Sequence, residues 1–187
     1  MPYTRRYNAA HPFDRFGPAN IVTAVRAVLV AGVAVLSVRP QSAAVLWFAI
    51  GTATIVALLD GVDGWLARRT RMVSRFGARF DMETDAALIL VLSVLVWQQD
   101  KAGGWVLACG LMRYGFVAAG WIVPWLRRPM RSTRRGKTVA VLQVVGLNVA
   151  LAPIVPMPQS AMVAAATLAA LAWSFAIDIV WLKQKEI

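Results

Sequence analysis

The sequence predicts an all-α integral membrane protein, a polytopic bundle of six transmembrane helices, and three observations support this fold class. Of the 187 residues, 59% are hydrophobic, and the mean hydropathy is +0.60, whereas soluble domains average about 45–50% apolar residues. The apolar runs are long enough for helices that cross the hydrocarbon core, which takes about 20 residues each. Basic residues cluster in alternate loops, as they do in multispanning membrane proteins.

Six apolar stretches follow one another along the chain. They lie at about 20–38, 43–66, 80–98, 102–126, 138–156 and 159–182. The first contains Arg26 and follows a 19-residue polar leader without a signal-peptidase pattern, so we expect a span rather than a cleaved signal peptide. The prolines within 153–158 interrupt the far end of the fifth and leave a short hairpin before the sixth. We therefore expect a cytoplasmic amino-terminal segment over 1–19 and a single transmembrane domain over 20–187.

The formal net charge of +11 is distributed in a way that indicates membrane orientation rather than nucleic-acid binding. Basic residues precede helix 1, separate helices 2 and 3, separate helices 4 and 5, and follow helix 6, whereas the intervening loops hold only Arg39 and Lys101. By the positive-inside rule, both termini are cytoplasmic. The sequence thus predicts a protein of the cell inner membrane, surrounded by membrane lipids and with no nucleic-acid partner.

Four aspartates stand near two helix ends within otherwise apolar sequence. Asp60 and Asp63 lie three residues apart on one stripe of a continuing helix 2, and Asp81 and Asp85 lie four apart at the start of helix 3. Because the intervening loop is short, we expect the two stripes to face each other as an antiparallel pair. Facing carboxylates repel unless cations neutralise them, and all-oxygen ligands favour Mg²⁺ or Mn²⁺ over Zn²⁺.

Small and basic residues accompany these carboxylates. Gly64 and Ala67 continue the stripe of helix 2 and remove side-chain bulk, and Arg68 adds a forked donor suited to phosphate oxygens. About 17 apolar residues precede Asp60 in helix 2, which puts the cluster near the cytoplasmic end of the span. The pattern predicts a site for a metal-bound diphosphate, at a depth where a ligand with a nucleotide and a lipid tail keeps each half in its preferred solvent.

The segment resembles, without a gap, the signature of the CDP-alcohol phosphotransferase family. Eight positions match over 26 residues: Asp60, Asp63, Gly64, Ala67, Arg68, Gly77, Asp81 and Asp85. The resemblance implies a homodimeric membrane enzyme of phospholipid synthesis that transfers a phosphatidyl or related group from a CDP-alcohol, CDP-diacylglycerol above all, to a small polar alcohol and releases CMP.

The resemblance also implies roles for the matched residues. Asp60, Asp63 and Asp81 would hold two Mg²⁺ or Mn²⁺ ions against the diphosphate, and Asp85 would be the general base and a further metal contact. The positions that would border the CDP moiety are Gly64, Ala67, Arg68 and Gly77.

Asn20, Thr23 and Arg26 recur every three residues at the start of helix 1. They resemble the N-x-x-T-x-x-R pattern of phosphatidylglycerolphosphate-synthase-like members, which implies a place beside the nucleotide. The alternative is a helix cap by Asn20 and an arginine paired with an acidic neighbour.

A second set of basic residues suits an acceptor that carries its own phosphate, such as glycerol 3-phosphate or inositol phosphate. It consists of Arg113 in helix 4 and of Arg134, Arg135 and Lys137 before helix 5. Alternatively, the loop residues set the orientation and attract anionic lipid. We expect Glu83, which departs from the family pattern, to point away from the site.

Three rival functions remain at the level of sequence. A choline or ethanolamine phosphotransferase would share the motif while using a lipid alcohol as acceptor. A cation transporter would use the intramembrane carboxylates as an ion path, although all four lie near one membrane face. A catalytically silent lipid-binding relative is disfavoured by the intact motif.

Overall fold

The computed structural model describes residues 18–38, 42–70, 74–127 and 133–184, and every regular element within these ranges is helical. The amino-terminal segment predicted over 1–19 lies outside them except for its last two residues. The α-helices are α1 Pro18–Leu36, α2 Ala43–Thr70, α3 Arg75–Gln98, α4 Ala108–Ile122, α5 Arg134–Leu151 and α6 Gln159–Gln184. Two 3₁₀ turns, Gly104–Leu107 and Pro124–Arg127, flank α4. The prediction of an all-helical chain is confirmed for these residues.

Side-chain caps explain why two helices begin earlier than the apolar runs. The Ser74 hydroxyl accepts a hydrogen bond of 3.0 Å from the Gly77 amide and starts α3, although the apolar run begins only at about 80. Thr133 caps α5 in the same way through the Gly136 amide, at 3.1 Å. Capping is a local polar signal, so hydrophobicity alone places both starts too late.

Two predicted spans are shorter as helices than as apolar runs. The fourth, predicted over 102–126, is interrupted at both ends by the 3₁₀ turns, and α4 itself covers 15 residues. The fifth, predicted over 138–156, ends at Leu151, two residues before Pro153. A proline disfavours helical backbone in the residue that precedes it, which accounts for the early end of α5.

Four helical segments among the described residues are long and apolar enough to cross a membrane. They are Pro18–Leu36, Ala43–Leu66, Gly104–Ile122 and Gln159–Gln184. Large apolar side chains also cover the outer surface; Phe48 and Met162, for example, are 66% and 68% exposed. An apolar exterior of this extent suits a hydrocarbon solvent.

Helix α3 occupies the centre of the bundle. It packs against α1, α4 and α5, and Leu88, Leu92, Leu95 and Val96 along it are almost completely buried. Because α3 is surrounded by protein, its carboxylates can be held in position by neighbouring helices rather than by lipid.

The two acidic stripes face each other as predicted, since ligand oxygens of Asp60, Asp63 and Asp81 lie within 4.8 Å of one another, but α2 and α3 are not directly packed neighbours. Helix α1 packs extensively on α2 and also on α3, whereas within the described ranges α2 and α3 have at most slight contact. The stripes of carboxylates therefore approach each other across α1, and a side chain of α1 has to bridge them.

Glycines allow the closest helix contacts. A Cβ added to Gly110 of α4 would lie 2.4 Å from the Leu90 Cα of α3, and one added to Gly146 of α5 would lie 2.2 Å from the Thr167 Cγ2 of α6. Small residues at such crossings are typical of membrane bundles, where packing is the main force between helices.

A polar tie joins the turn after α3 to the hairpin between α5 and α6. The Lys101 ammonium donates to the carbonyls of Ala152 and Val155, at 3.2 Å and 2.5 Å, and the Ser160 hydroxyl donates to the Lys101 carbonyl at 2.6 Å. These bonds hold the turn after α3 against the residues that connect α5 and α6.

Candidate functional site

The four predicted site aspartates converge on one guanidinium, that of Arg26 in α1. Its Nη1 lies 2.6 Å from an Asp63 oxygen and 2.5 Å from an Asp81 oxygen. Its Nη2 lies 3.0 Å from an Asp60 oxygen and also donates to Asp85. Two carboxylates from α2 and two from α3 thus meet on a side chain of α1, which is the bridge that the helix packing requires.

Arg26 is completely buried, and Asp63 nearly so. The Thr23 hydroxyl lies 3.0 Å from the Asp63 oxygen that Arg26 also contacts, so that oxygen has two donors from α1. Burying charges is costly unless they are paired and hydrogen-bonded. The two residues one turn apart on α1 therefore fix the orientation of the Asp63 carboxylate.

The aspartates differ in how far they open to the surface. The Asp63 side chain is 5% exposed, whereas those of Asp60, Asp81 and Asp85 are 39%, 35% and 35% exposed. Asp63 therefore forms the floor of the cluster, and the other three carboxylates line an opening that a ligand can reach.

Three of the carboxylates fit a divalent metal ion. One ligand oxygen each from Asp60, Asp63 and Asp81 lies within 4.8 Å of the other two. Four carboxylates against one arginine leave a formal charge of about −3, which a hard cation with oxygen ligands would neutralise. The donor set and the charge both suit Mg²⁺ or Mn²⁺. Asp85 lies beside this group and contacts the same arginine.

Asn20 and Gly77, both predicted to border the nucleotide, lie against each other. A Cβ on Gly77 would be 2.5 Å from the Asn20 Oδ1, and Asn20 itself is buried. Asn20 is the third residue of α1 rather than a residue that precedes the helix. The glycine thus allows the start of α3 to approach the start of α1 at the edge of the cluster.

The remaining predicted nucleotide contacts lie on the last turns of α2. Gly64 is half-buried next to Asp63, and α2 stays helical through Ala67 and Arg68. The side chains of Ala67 and Arg68 lie outside the described part of the structure. The neighbouring Arg69 guanidinium lies 4.9 Å from the centre of the Trp65 ring, where a cation and an aromatic face attract each other.

Two of the four basic residues predicted to bind the acceptor, Arg113 and Arg135, are in separate ion pairs. Arg113 donates to Glu83 at 2.6 Å, and Arg135 donates to Asp178. Arg113 of α4 is thus the partner of Glu83 of α3, and Arg135 of α5 is the partner of Asp178 of α6. Lys137 is exposed, and the Arg134 side chain lies outside the described part.

Sequence reasoning missed the role of Arg26 as the shared partner of all four aspartates. The alternative of an arginine paired with an acidic neighbour was closest to the observed contacts. Periodicity assigns a residue to one face of a helix, but it does not say which other helices that face meets. It also missed a cavity of about 220 Å³ between α1 and α3, beside the cluster. The cavity is lined by Ala27, Val30, Phe80, Glu83, Thr84 and Ala87.

Comparison with known proteins gives two findings. The family model described as CDP-alcohol phosphatidyltransferase matches residues 17–177. A protein of Cereibacter sphaeroides named CDP-diacylglycerol--glycerol-3-phosphate 3-phosphatidyltransferase is 31% identical over 88 residues. That match covers 47% of this chain and 40% of the relative, so well under half of the relative's length is represented.

Proposed function

The chain belongs to the CDP-alcohol phosphatidyltransferase family, and from this premise we propose that it transfers a phosphatidyl group from CDP-diacylglycerol to a small polar alcohol. The reaction releases CMP and contributes to phospholipid synthesis. The observation that carries the proposal is the convergence of four aspartates, in the spacing of the family signature, on one buried arginine.

Asp60, Asp63 and Asp81 are the residues that would hold two ions, Mg²⁺ or Mn²⁺. When bound, the ions would neutralise charge on the diphosphate and on the leaving CMP. The buried Asp63, fixed by Thr23, gives this group a rigid floor. A fixed ligand set lowers the cost of ordering the site when a cation enters it.

Asp85 is the proposed general base. It would accept the proton of the acceptor hydroxyl as that oxygen bonds to the β-phosphorus and the bond from this phosphorus to the CMP oxygen breaks. Its carboxylate is about one-third exposed, so an acceptor hydroxyl can approach it. Asp85 shares Arg26 with the three proposed ligands, which keeps the base next to the reacting diphosphate.

The start of α1 and the start of α3 are the proposed border of the CDP moiety, through Asn20, Thr23 and Gly77 together with Gly64. The contact between Asn20 and Gly77 supports this border, since it lies at the rim of the aspartate cluster. Arg26, Ala67 and Arg68 complete the proposed nucleotide surroundings, with Arg26 acting through the carboxylates that it contacts.

Glycerol 3-phosphate is the acceptor that we propose first. The name of the Cereibacter sphaeroides relative supports it, and so does the presence of two partly exposed arginines, Arg113 and Arg135, in ion pairs with acids. An acceptor phosphate could replace the acid as the partner of Arg113 or Arg135, with Arg134 and Lys137 nearby in sequence.

We propose that all six helices span the inner membrane, with both termini and the aspartate cluster on the cytoplasmic side. The alternation of basic loops supports this orientation. Residues 20–187 then form one catalytic domain, and a homodimer is expected from the family resemblance.

The test is a transfer assay on the purified full-length chain with CDP-diacylglycerol, Mg²⁺ or Mn²⁺ and a panel of alcohols. We expect CMP release with glycerol 3-phosphate, loss of CMP release in EDTA, and a phosphatidyl product by mass spectrometry. The panel includes CDP-choline with diacylglycerol. Product from that pair alone would reverse the donor and acceptor classes, and no CMP from any pair would refute the proposed function.

A further inference from the structure

Arg26 holds the carboxylate oxygens that a divalent ion would need. We propose that Arg26 is the resident counter-ion of the aspartate cluster and competes with the divalent ion for the carboxylates of Asp63 and Asp81. This inference rests on the metal-binding part of the proposed function, and it gives Arg26 a different role from that of a nucleotide contact.

The contacts of the guanidinium support competition. A single nitrogen, Nη1, lies within 2.6 Å of oxygens from both Asp63 and Asp81. These two residues also belong to the group whose ligand oxygens lie within 4.8 Å of one another. An N–H donor and a metal ion use the same carboxylate lone pairs, so strong occupation by one weakens the other.

One carboxylate oxygen of Asp63 has two potential donors. This oxygen, Oδ2, is contacted by both the Thr23 hydroxyl and Arg26 Nη1. The Thr23 hydroxyl has one hydrogen to donate and an alternative acceptor in the Ala19 carbonyl, at 3.1 Å. Arg26 Nη1 is therefore the donor that an incoming ion has to compete with for this oxygen.

The charge balance of the cluster determines whether Arg26 helps or opposes metal binding. Without ions, four carboxylates around a fully buried arginine need its charge, because removing one partner of a buried ion pair leaves uncompensated charge. Two divalent ions would balance four carboxylates by themselves, and the guanidinium would then face like charges at close range. Arg26 therefore stabilises the metal-free protein and opposes metal binding.

A purely structural arginine would have the opposite effect on affinity. If Arg26 served to hold the carboxylates in the ligating arrangement, its removal would disorder them and weaken metal binding. The sign of the change in metal affinity thus distinguishes the two roles.

The experiment measures Mn²⁺ binding to the purified protein without nucleotide, from the electron paramagnetic resonance signal of free Mn²⁺. Arg26→Gln should bind Mn²⁺ at least about tenfold more tightly than the unchanged protein, because a competing cation is gone. Its metal-free form should melt at a lower temperature and gain more from Mn²⁺, since an ion that binds the folded state stabilises it.

Two further variants complete the design. Arg69→Gln removes the same charge from an exposed position on α2, and its Mn²⁺ affinity should stay within about twofold because solvent screens that charge. Arg26→Lys keeps the charge but replaces the fork by one ammonium, so its affinity should lie between those of the unchanged protein and Arg26→Gln.

Equal or weaker Mn²⁺ binding by Arg26→Gln overturns the proposal. If Arg26→Gln does not fold, equal or weaker binding by Arg26→Lys overturns it. Absence of Mn²⁺ binding in both the unchanged protein and Arg26→Gln also overturns it, together with the metal assignment. CMP release by the unchanged protein, measured separately, shows whether the proposed function itself stands.

Discussion

At the scale of single residues, the aspartates are distinguished by their surroundings more than by their chemistry. Asp63 is buried under Thr23 and Arg26, whereas Asp85 is open to the surface and shares only the arginine. The first environment suits a fixed ligand, and the second suits a group that exchanges a proton with a substrate. Substitutions that remove charge and keep shape should therefore have different consequences at the two positions.

Asp63→Asn should abolish Mn²⁺ binding and transfer, because the most rigid anionic ligand is lost. Asp85→Asn should retain Mn²⁺ binding and lower kcat by about 10²-fold or more, the usual scale for a general base. Mn²⁺ titration and CMP release measure the two effects separately. Asp100→Asn is the matched control, since Asp100 lies in the exposed turn after α3 with a φ of 52°, a conformation that asparagine accepts. An unaltered kcat in Asp85→Asn would exclude the base assignment.

Arg113→Ala should raise the KM for glycerol 3-phosphate by about tenfold to a hundredfold while leaving the KM for CDP-diacylglycerol unchanged. The reason is the loss of a charge-assisted contact, worth about 1.5–3 kcal/mol. Glu83→Gln is the companion variant: it releases Arg113 from its acidic partner and should lower the acceptor KM. Equal shifts for donor and acceptor would instead indicate a general electrostatic effect on the membrane surface.

At the scale of helices, the crossing of α3 and α4 depends on the absence of a side chain at Gly110. A Cβ there would approach the Leu90 backbone to 2.4 Å, a distance that flexible side chains cannot relieve. Gly110→Ala should therefore force the helices apart and destabilise the protein by about 1–3 kcal/mol, the usual cost of overpacking. Gly115→Ala on the same helix is the control, since a Cβ there meets nothing within 4 Å. Thermal unfolding in detergent measures both, and equal melting temperatures would contradict the close crossing.

The positions of the helices were largely predictable from the sequence, whereas their packing partners were not, and the difference has physical causes. Apolar runs located the helices because the hydrophobic pattern is strong, and three- and four-residue spacings correctly put each pair of aspartates on one face. Helix neighbours were not predictable in the same way, since a stripe on α2 can meet α1 or α3 with equal periodicity. Arg26 became the centre of the site because α1 lies between the two acidic helices, which only the packing reveals.

At the scale of the whole molecule, the proposed six-span topology can be tested by labelling cysteines introduced at the helix ends. Cys109 is the only cysteine and is buried, so introduced cysteines can be labelled selectively. Ser42→Cys before α2 and Gln98→Cys at the end of α3 should react with a membrane-impermeant maleimide from the periplasmic side of intact inner membranes.

Gln184→Cys at the end of α6 should react only after the membranes are opened. All three positions carry exposed side chains. Labelling of Gln98→Cys only after opening would mean that α3 does not cross the membrane, and the six-span topology would then be wrong.

The polar tie at Lys101 has a mechanical consequence. It joins the end of α3 to the hairpin of α5 and α6, at a distance of about 20 Å along the helix from Asp85. Helices fastened at one end can separate only at the other. We therefore expect α3 to be held more firmly against the hairpin of α5 and α6 at the Lys101 end than at the aspartate end.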